Sequence, residues 1–288
     1  MGCCRPNVVI PRGEGERVKF IGPRTQETNR LEQRFGLTDV PCGKCELCLV
    51  TRRYERALCI MLEAESYPDE VFFLSLTYSD QFMDSPELDH SHWAQFMKDF
   101  RRVFCEVKYC RWPDARKRGR VKSLTFKKVK QVMAGEYGDT FGRRHFHGII
   151  FGHYFFDMVP TGTFSSRGNA IHTSPSLEKV WGKGFVQIEP VNMDLALYIS
   201  SYVTDKALDA LPDKGRLKKQ YGRFGRGIGR TWLDKYFRDV LSAGKLMLRD
   251  GDFPIPRRFL LWYQDHPDFV RWKADKALTT ASRVLHNI

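Results

Sequence analysis

Nowhere in this chain does an apolar run approach the ~20 residues that a membrane-spanning helix needs. The longest, such as Val71 to Leu76, fall far short. The opening residues hold no basic-then-apolar leader, so the expectation is a chain that is not exported. Met1-Gly2-Cys3-Cys4 hints at lipidation, but Pro6 stands where a myristoylation signal wants Ser or Thr, and that reading is set aside. Internal repeats, low-complexity tracts and the regular βαβ spacing of a parallel sheet are also missing. Acid is scarce as well. Against 47 Lys and Arg there are 34 Asp and Glu, which leaves a net charge of +13 and calls for a polyanionic partner.

What is present begins with a core. Of 288 residues 42% are hydrophobic and 13% aromatic, enough for one large domain with appendages. Residues 1 to 40 are rich in Gly, Pro and charge and read as an extended lead-in. Apolar spacing predicts helices over Thr51 to Ser66, over Ser91 to Glu106 (Trp93, Phe96, Met97, Phe100 and Phe104 on one face) and from about Asp194 to Leu208. The last is capped by Asn192 or Asp194 and stops before Pro212. Strands are expected at Val71 to Tyr78, Lys127 to Tyr137, Arg144 to Phe151 and Gly184 to Val191. The mixture predicts an antiparallel α+β domain.

Arg144-His145-Phe146-His147-Gly148 puts two imidazoles on one face of a predicted strand, because alternate strand residues point the same way. An arbitrary His-x-His is as often a pair of half-buried histidines as a metal site. Glu136 sharpens the case. If a hairpin pairs Glu136 across from His145, and Ala134 across from His147, all three polar groups share a face. Two imidazoles and a carboxylate suit Mg²⁺ or Mn²⁺ acting on a phosphate.

Asp194, Tyr198, Tyr202 and Lys206 form one stripe of the helix, beside an apolar seam of Leu195, Ile199, Val203 and Ala207. Half-buried tyrosines with exposed tips would give the same spacing. A phenolate nucleophile makes sense where the energy of a phosphodiester must be kept, since the phosphotyrosine ester can be rejoined later without ATP. Lys206 would position the phosphate or lower the tyrosine pKa.

The eight cysteines fall at 3, 4, 42, 45, 48, 59, 105 and 110. In a reducing cytosol they point away from disulfides. Cys42-x2-Cys45-x2-Cys48 offers three thiolates to a structural Zn²⁺, with Cys3 or Cys4 as the fourth ligand. Cys59, Cys105 and Cys110 read as packed thiols. Nine Lys or Arg against one acid lie between Arg111 and Lys130. From Lys214 to Arg230 there are seven basic residues and no acid, interleaved with Tyr221 and Phe224. Basic runs are usually solvated faces. The second mixes cations with stacking rings as single-strand grooves do, and singles out Lys218, Lys219, Arg223, Arg226 and Arg230 as DNA contacts.

Taken in order, Met1 to Pro6, Pro41 to Cys48, Phe73 to Tyr78, Gly135 to Gly138, His145 to Gly152, Tyr198 to Lys206 and Gly227 to Tyr236 resemble the HUH endonucleases. The resemblance is closer to the replication initiators of gokushovirus-type microviruses. It implies an HUH/Rep-type antiparallel sheet with flanking helices, His145 and His147 as metal ligands with Glu136 the third, and Tyr198 and Tyr202 as paired nucleophiles. One tyrosine would nick and the other would perform the transfer that closes the circle. The expected organisation is a Cys-rich arm at 1–50, a nuclease domain at 51–240 and a C-terminal extension at 241–288. Expected partners are single-stranded or replicative-form viral DNA and the host replication machinery, in the cytoplasm of a bacterial host, with no membrane. Two rivals are a non-catalytic zinc-dependent DNA-binding regulator and a tyrosine HUH transposase or relaxase. The regulator leaves the Glu, His and Tyr constellation unexplained.

Overall fold

A computed structural model describes residues 3–10, 19–28, 38–83, 85, 87–108, 124–126, 128–138, 142–204, 220–248 and 251–286. Lys206, Ala207, Cys110, Lys218, Lys219 and most of the run from Arg111 to Lys130 lie outside the described residues.

The N-terminal segment is more ordered than an extended lead-in. Strands β1 (Asn7–Ile10), β2 (Lys19–Pro23) and β3 (Thr38–Val40) form a small antiparallel sheet in the order β2-β1-β3. Helix α1 (Glu46–Ala64) follows, then β4 (Val71–Tyr78) and α2 (His90–Phe104). A short pair comes next, β5 (Glu106–Lys108) with β6 (Leu124–Phe126). After it run β7 (Lys130–Tyr137), β8 (Arg144–Phe151), β9 (Val159–Phe164), β10 (Ala170–Thr173), α3 (Pro175–Trp181), β11 (Gly184–Pro190) and α4 (Met193–Thr204). The chain continues through β12 (Tyr221–Phe224), α5 (Arg230–Ala243), β13 (Leu246–Leu248), β14 (Gly251–Phe253), α6 (Arg257–Trp262) and α7 (Pro267–His286).

Seven strands make the main sheet, in the order β12-β7-β8-β4-β11-β10-β9, with every neighbouring pair antiparallel. The expected α+β architecture, a large antiparallel sheet with flanking helices, is what forms. The central strands read as nearly continuous apolar runs because both faces of the sheet are covered. On one face Phe73, Val132, Ala134, Ile149 and Phe151 meet Ala57 and Ile60 of α1, Leu195, Ile199 and Val203 of α4, and Leu233 of α5. Leu246, Phe259 and Phe269 bury themselves in that same cluster. On the other face Leu74, Leu76, Met133, Phe146, Ile150 and Ile188 meet Trp93, Phe96 and Phe100 of α2 and Leu177 and Trp181 of α3. Each of the Val, Leu, Ile, Met and Phe side chains among them stabilises the fold by roughly 1.5–3 kcal/mol of apolar burial.

Two glycines let helices lie close on the sheet. A Cβ on Gly148 would sit 2.2 Å from Cη2 of Trp93, so only glycine allows the indole of α2 to lie against β8. A Cβ on Gly222 would sit 2.6 Å from Val203 Cγ2, which would push α4 away from β12. Among the described residues no helix is long and apolar enough to cross a membrane.

Candidate metal and tyrosine site

The site grows out of one hairpin. Its register pairs Glu136 with His145 and Ala134 with His147, as the sequence led us to expect. Alternation then aims Glu136, His145 and His147 at the face that α4 covers, and Phe146 into the opposite layer. Asn192 caps α4, accepting a hydrogen bond from the backbone N–H of Leu195 at 2.9 Å. The seam of Leu195, Ile199 and Val203 is buried against the sheet, so the neighbouring stripe carries Tyr198 and Tyr202 across the hairpin.

Three side chains converge on a single oxygen. Glu136 Oε1 is contacted by His145 Nε2, by His147 Nε2 at 2.7 Å and by the Tyr198 hydroxyl, which donates at 2.6 Å. The Tyr202 hydroxyl donates to that of Tyr198 at 3.3 Å. The backs of the imidazoles are held too. His145 Nδ1 donates to the Arg143 carbonyl at 2.9 Å, and His147 Nδ1 lies 2.9 Å from Ser75 Oγ. Phe73 stacks on His147, with ring centroids 5.2 Å apart.

These contacts indicate what the site can hold. A carbonyl oxygen only accepts, so Nδ1 of His145 carries a proton and Nε2 is the nitrogen that faces the carboxylate oxygen. A ring nitrogen and a carboxylate oxygen in contact need a proton or a cation between them. Glu136 Oε2 is buried and has no hydrogen-bond partner. Burial pushes the Glu136 carboxyl up, but hydrogen bonds from His145 and His147 outweigh it and hold the group well below the usual carboxylate range. Burial pushes His147 down, towards the neutral ligand form. The three ligand atoms lie within 4.8 Å of one another. A carboxylate, two imidazoles and an orphaned oxygen on one face fit a divalent cation. Burial, and then the bond to Glu136, raise the Tyr198 phenol well above its ordinary value, so a proton acceptor is needed when it reacts.

A second cluster lies at the N-terminus. Antiparallel pairing sets Asn7 of β1 against Val40 of β3, which brings Cys3 to Cys42, and α1 begins immediately after Cys45. The sulfurs of Cys3, Cys42, Cys45 and Cys48 all lie within 4.8 Å of one another, and Cys4 is exposed and outside the set. Amide donation from Cys48 and then Cys4 lowers the Cys45 thiol to about 5, while burial pushes Cys48 up to about 12. Four sulfurs this close ionise together only around a cation. Cys59 and Cys105 are buried, as expected of packed thiols.

The candidate DNA contacts lie at the edge of the sheet. Arg223 stands on edge strand β12 opposite Met133, so its side chain leaves on the α2 face and not on the His face. Arg226 is an exposed residue of the turn after β12, and Arg230 opens α5, 3.6 Å from Asp234. Lys130, at the end of the first basic run, is not available in the same way, because it pairs with buried Glu63 at 2.7 Å. Two neighbours of the site escaped the sequence reading, Ser75 and Arg167. The Arg167 guanidinium carbon lies 4.3 Å from the Tyr198 ring centroid. Polar Ser75 within the apolar β4 run was the available signal for the first. Nothing local marked the second.

With this geometry in view, a family described as replication-associated protein ORF2/G2P matches residues 71–207, the stretch that carries every strand and helix of the His and Tyr site. Three phage proteins extend the match. The replication-associated protein VP4 of Bdellovibrio phage phiMH2K is 28% identical over 93% of this chain and 79% of its own length. The replication-associated protein ORF2 of Spiroplasma virus 4 is 28% identical over 96% and 86%, and ORF4 of Chlamydia phage 1 is 26% identical over 76% and 52%. This chain is similar to the replication-associated proteins of microviruses. With the Bdellovibrio and Spiroplasma phage proteins the similarity includes most of both chains, as the motifs had suggested. No solved structure matches.

Proposed function

We propose that this chain is a rolling-circle replication initiator, an HUH-type nuclease that nicks and rejoins single-stranded DNA through a 5′-phosphotyrosine ester. One observation carries the reading. The Tyr198 hydroxyl, one helical turn from a second tyrosine, donates to the carboxylate that two strand histidines also reach. The names of the phage relatives support the replication role.

In the proposed reaction Tyr198 Oη bonds to phosphorus and the P–O3′ bond breaks. The phenolic proton leaves Tyr198 Oη as the oxygen attacks and passes to solvent water, and the departing O3′ takes a proton from water, ending as a free 3′-OH that can prime synthesis. The 5′-phosphate stays on the tyrosine. Glu136, His145 and His147 would hold Mg²⁺ or Mn²⁺, which when bound supplies Lewis acidity to the phosphoryl oxygens. Tyr202 would attack at the next copy of the origin, releasing a 3′-OH that displaces Tyr198 and closes the circle. Because each step exchanges one ester for another, no ATP is needed. Lys206 is proposed to contact phosphate. Lys218, Lys219, Arg223, Arg226 and Arg230 are proposed to hold the strand. Cys3, Cys42, Cys45 and Cys48 are proposed to hold a structural Zn²⁺. The setting would be the cytoplasm of a bacterial host, with host replication machinery extending the 3′-OH.

Incubating the protein and Mn²⁺ with the single-stranded DNA that encodes it should give a protein-sized, boiling-resistant shift of 5′-labelled downstream DNA. Tyr198→Phe and Tyr202→Phe should each retain some nicking but not complete circle release, and the double variant should bind DNA without forming the adduct. An adduct from the double variant would place the nucleophile elsewhere. Binding with no adduct from the wild type would favour a non-catalytic regulator.

A further inference from the structure

The turn between β9 and β10 is fastened to the tyrosine helix. Ser165 and Gly168 close it by backbone hydrogen bonds, Ser165 N–H to the Asn169 carbonyl and Gly168 N–H to the Ser165 carbonyl, both at 2.9 Å. Asn169 Nδ2 then donates to buried Glu189 at 3.1 Å, and Asn192 Nδ2 donates to Asn169 Oδ1 at 3.1 Å. Asn192 is also the N-cap of α4. One chain of amides therefore ties the turn to the start of the helix that carries Tyr198.

Arg167 stands in this turn, an exposed residue whose guanidinium lies over the Tyr198 ring. Among the described residues no acid pairs with it. A guanidinium on a neutral ring face in water is weakly held. The same fork meets a phosphate through two parallel charge-assisted hydrogen bonds, a much better partner.

We propose that Arg167 is a phosphate clamp for the strand being cut. When DNA enters, its guanidinium exchanges the Tyr198 ring for a non-bridging oxygen of the phosphate that Tyr198 attacks. It keeps that oxygen through the pentacoordinate transition state and in the phosphotyrosine ester. The proposal rests on the tyrosine-nuclease reading of the site. It adds a cation contributed by the β9–β10 turn, far in sequence from both the hairpin and the helix.

The test uses the full-length protein and an oligonucleotide spanning the nick mapped with the wild type. The oligonucleotide is made unmodified and as each of the two methylphosphonate stereoisomers at the scissile phosphate. Arg167→Ala should slow single-turnover adduct formation on unmodified DNA by about 100-fold, as loss of an oxyanion donor does. Arg167→Lys should recover part of that. On the isomer lacking the clamped oxygen, wild type and Arg167→Ala should react equally slowly, whereas the other isomer should preserve the difference. An unmodified-DNA rate within about threefold of wild type would overturn the clamp, and so would one uniform loss on all three substrates, the mark of a displaced helix. If the wild type forms no adduct at all, the nuclease reading fails and the clamp falls with it.

Discussion

Ser75 shows how much of this site depends on residues that touch no substrate. Its hydroxyl lies against Nδ1 of His147, whereas the matching contact on His145 comes from the backbone carbonyl of Arg143. A ligand whose far nitrogen is held keeps both its tautomer and its aim, and losing such a partner typically costs 10–100-fold in metal affinity, as an order of magnitude. Ser75→Ala should therefore raise the Mn²⁺ concentration for half-maximal nicking by roughly 10–100-fold while leaving the saturated rate close to wild type. His147→Ala should not be rescued by any Mn²⁺ concentration. A Mn²⁺ titration of adduct formation checks both. An unchanged midpoint for Ser75→Ala would mean that Phe73 stacking alone orients the ring.

At the scale of elements, the small N-terminal sheet has little to hold it. Of its three strands only Val8 and Val9 of β1 are buried, and β2 and β3 are half-buried or exposed. The cysteine cluster sits where β1, β3 and the start of α1 meet, so a cation there would tie the loosely packed strands to a helix anchored in the core. Zinc should copurify at about one equivalent, and Cys45→Ser should lose it and expose residues 3–45 to limited proteolysis. Mass-spectrometric mapping would read this out, and a zinc-free protein with a protected N-terminus would dispose of the site. The same contrast explains what could be read in advance. Strands β4, β7, β8 and β11 carry strong local patterns, and the Glu136–His145 register was legible because a short hairpin fixes it within a few residues. The N-terminal strands were not legible. They are short, lie in a segment rich in Gly, Pro and charge, and exist through pairing across long sequence separations. Ser75 and Arg167 reach the site through contacts of 72 residues to His147 and of β-turn to helix, which no local period reports.

For the molecule as a whole, a charge of +13 overstates what is available to a strand of DNA. Lys130 is neutralised by Glu63, Arg144 is buried between the carbonyls of Phe82 and Glu87, and Arg24 and Arg143 pair with Asp39 and Asp80. The exposed cations around β12 remain, and the sheet divides them. Arg223 leaves on the α2 face, whereas the metal ligands and tyrosines lie on the α4 face. DNA that stays on the His face cannot reach Arg223 unless it wraps over the β12 edge. Each phosphate contact contributes roughly one counterion to the salt dependence, with a slope of about 0.7 per contact for a single strand. If the strand wraps the edge, Arg223→Gln and Arg226→Gln should each flatten the plot of log affinity against log salt by about that amount and weaken all sequences alike. If it does not, only Arg226→Gln should change the slope. Fluorescence anisotropy with a labelled single strand from low to moderate salt separates the two. A slope unmoved by either substitution would show that the β12 edge faces away from the DNA and that the strand is held from the opposite side of the site, where Arg167 lies.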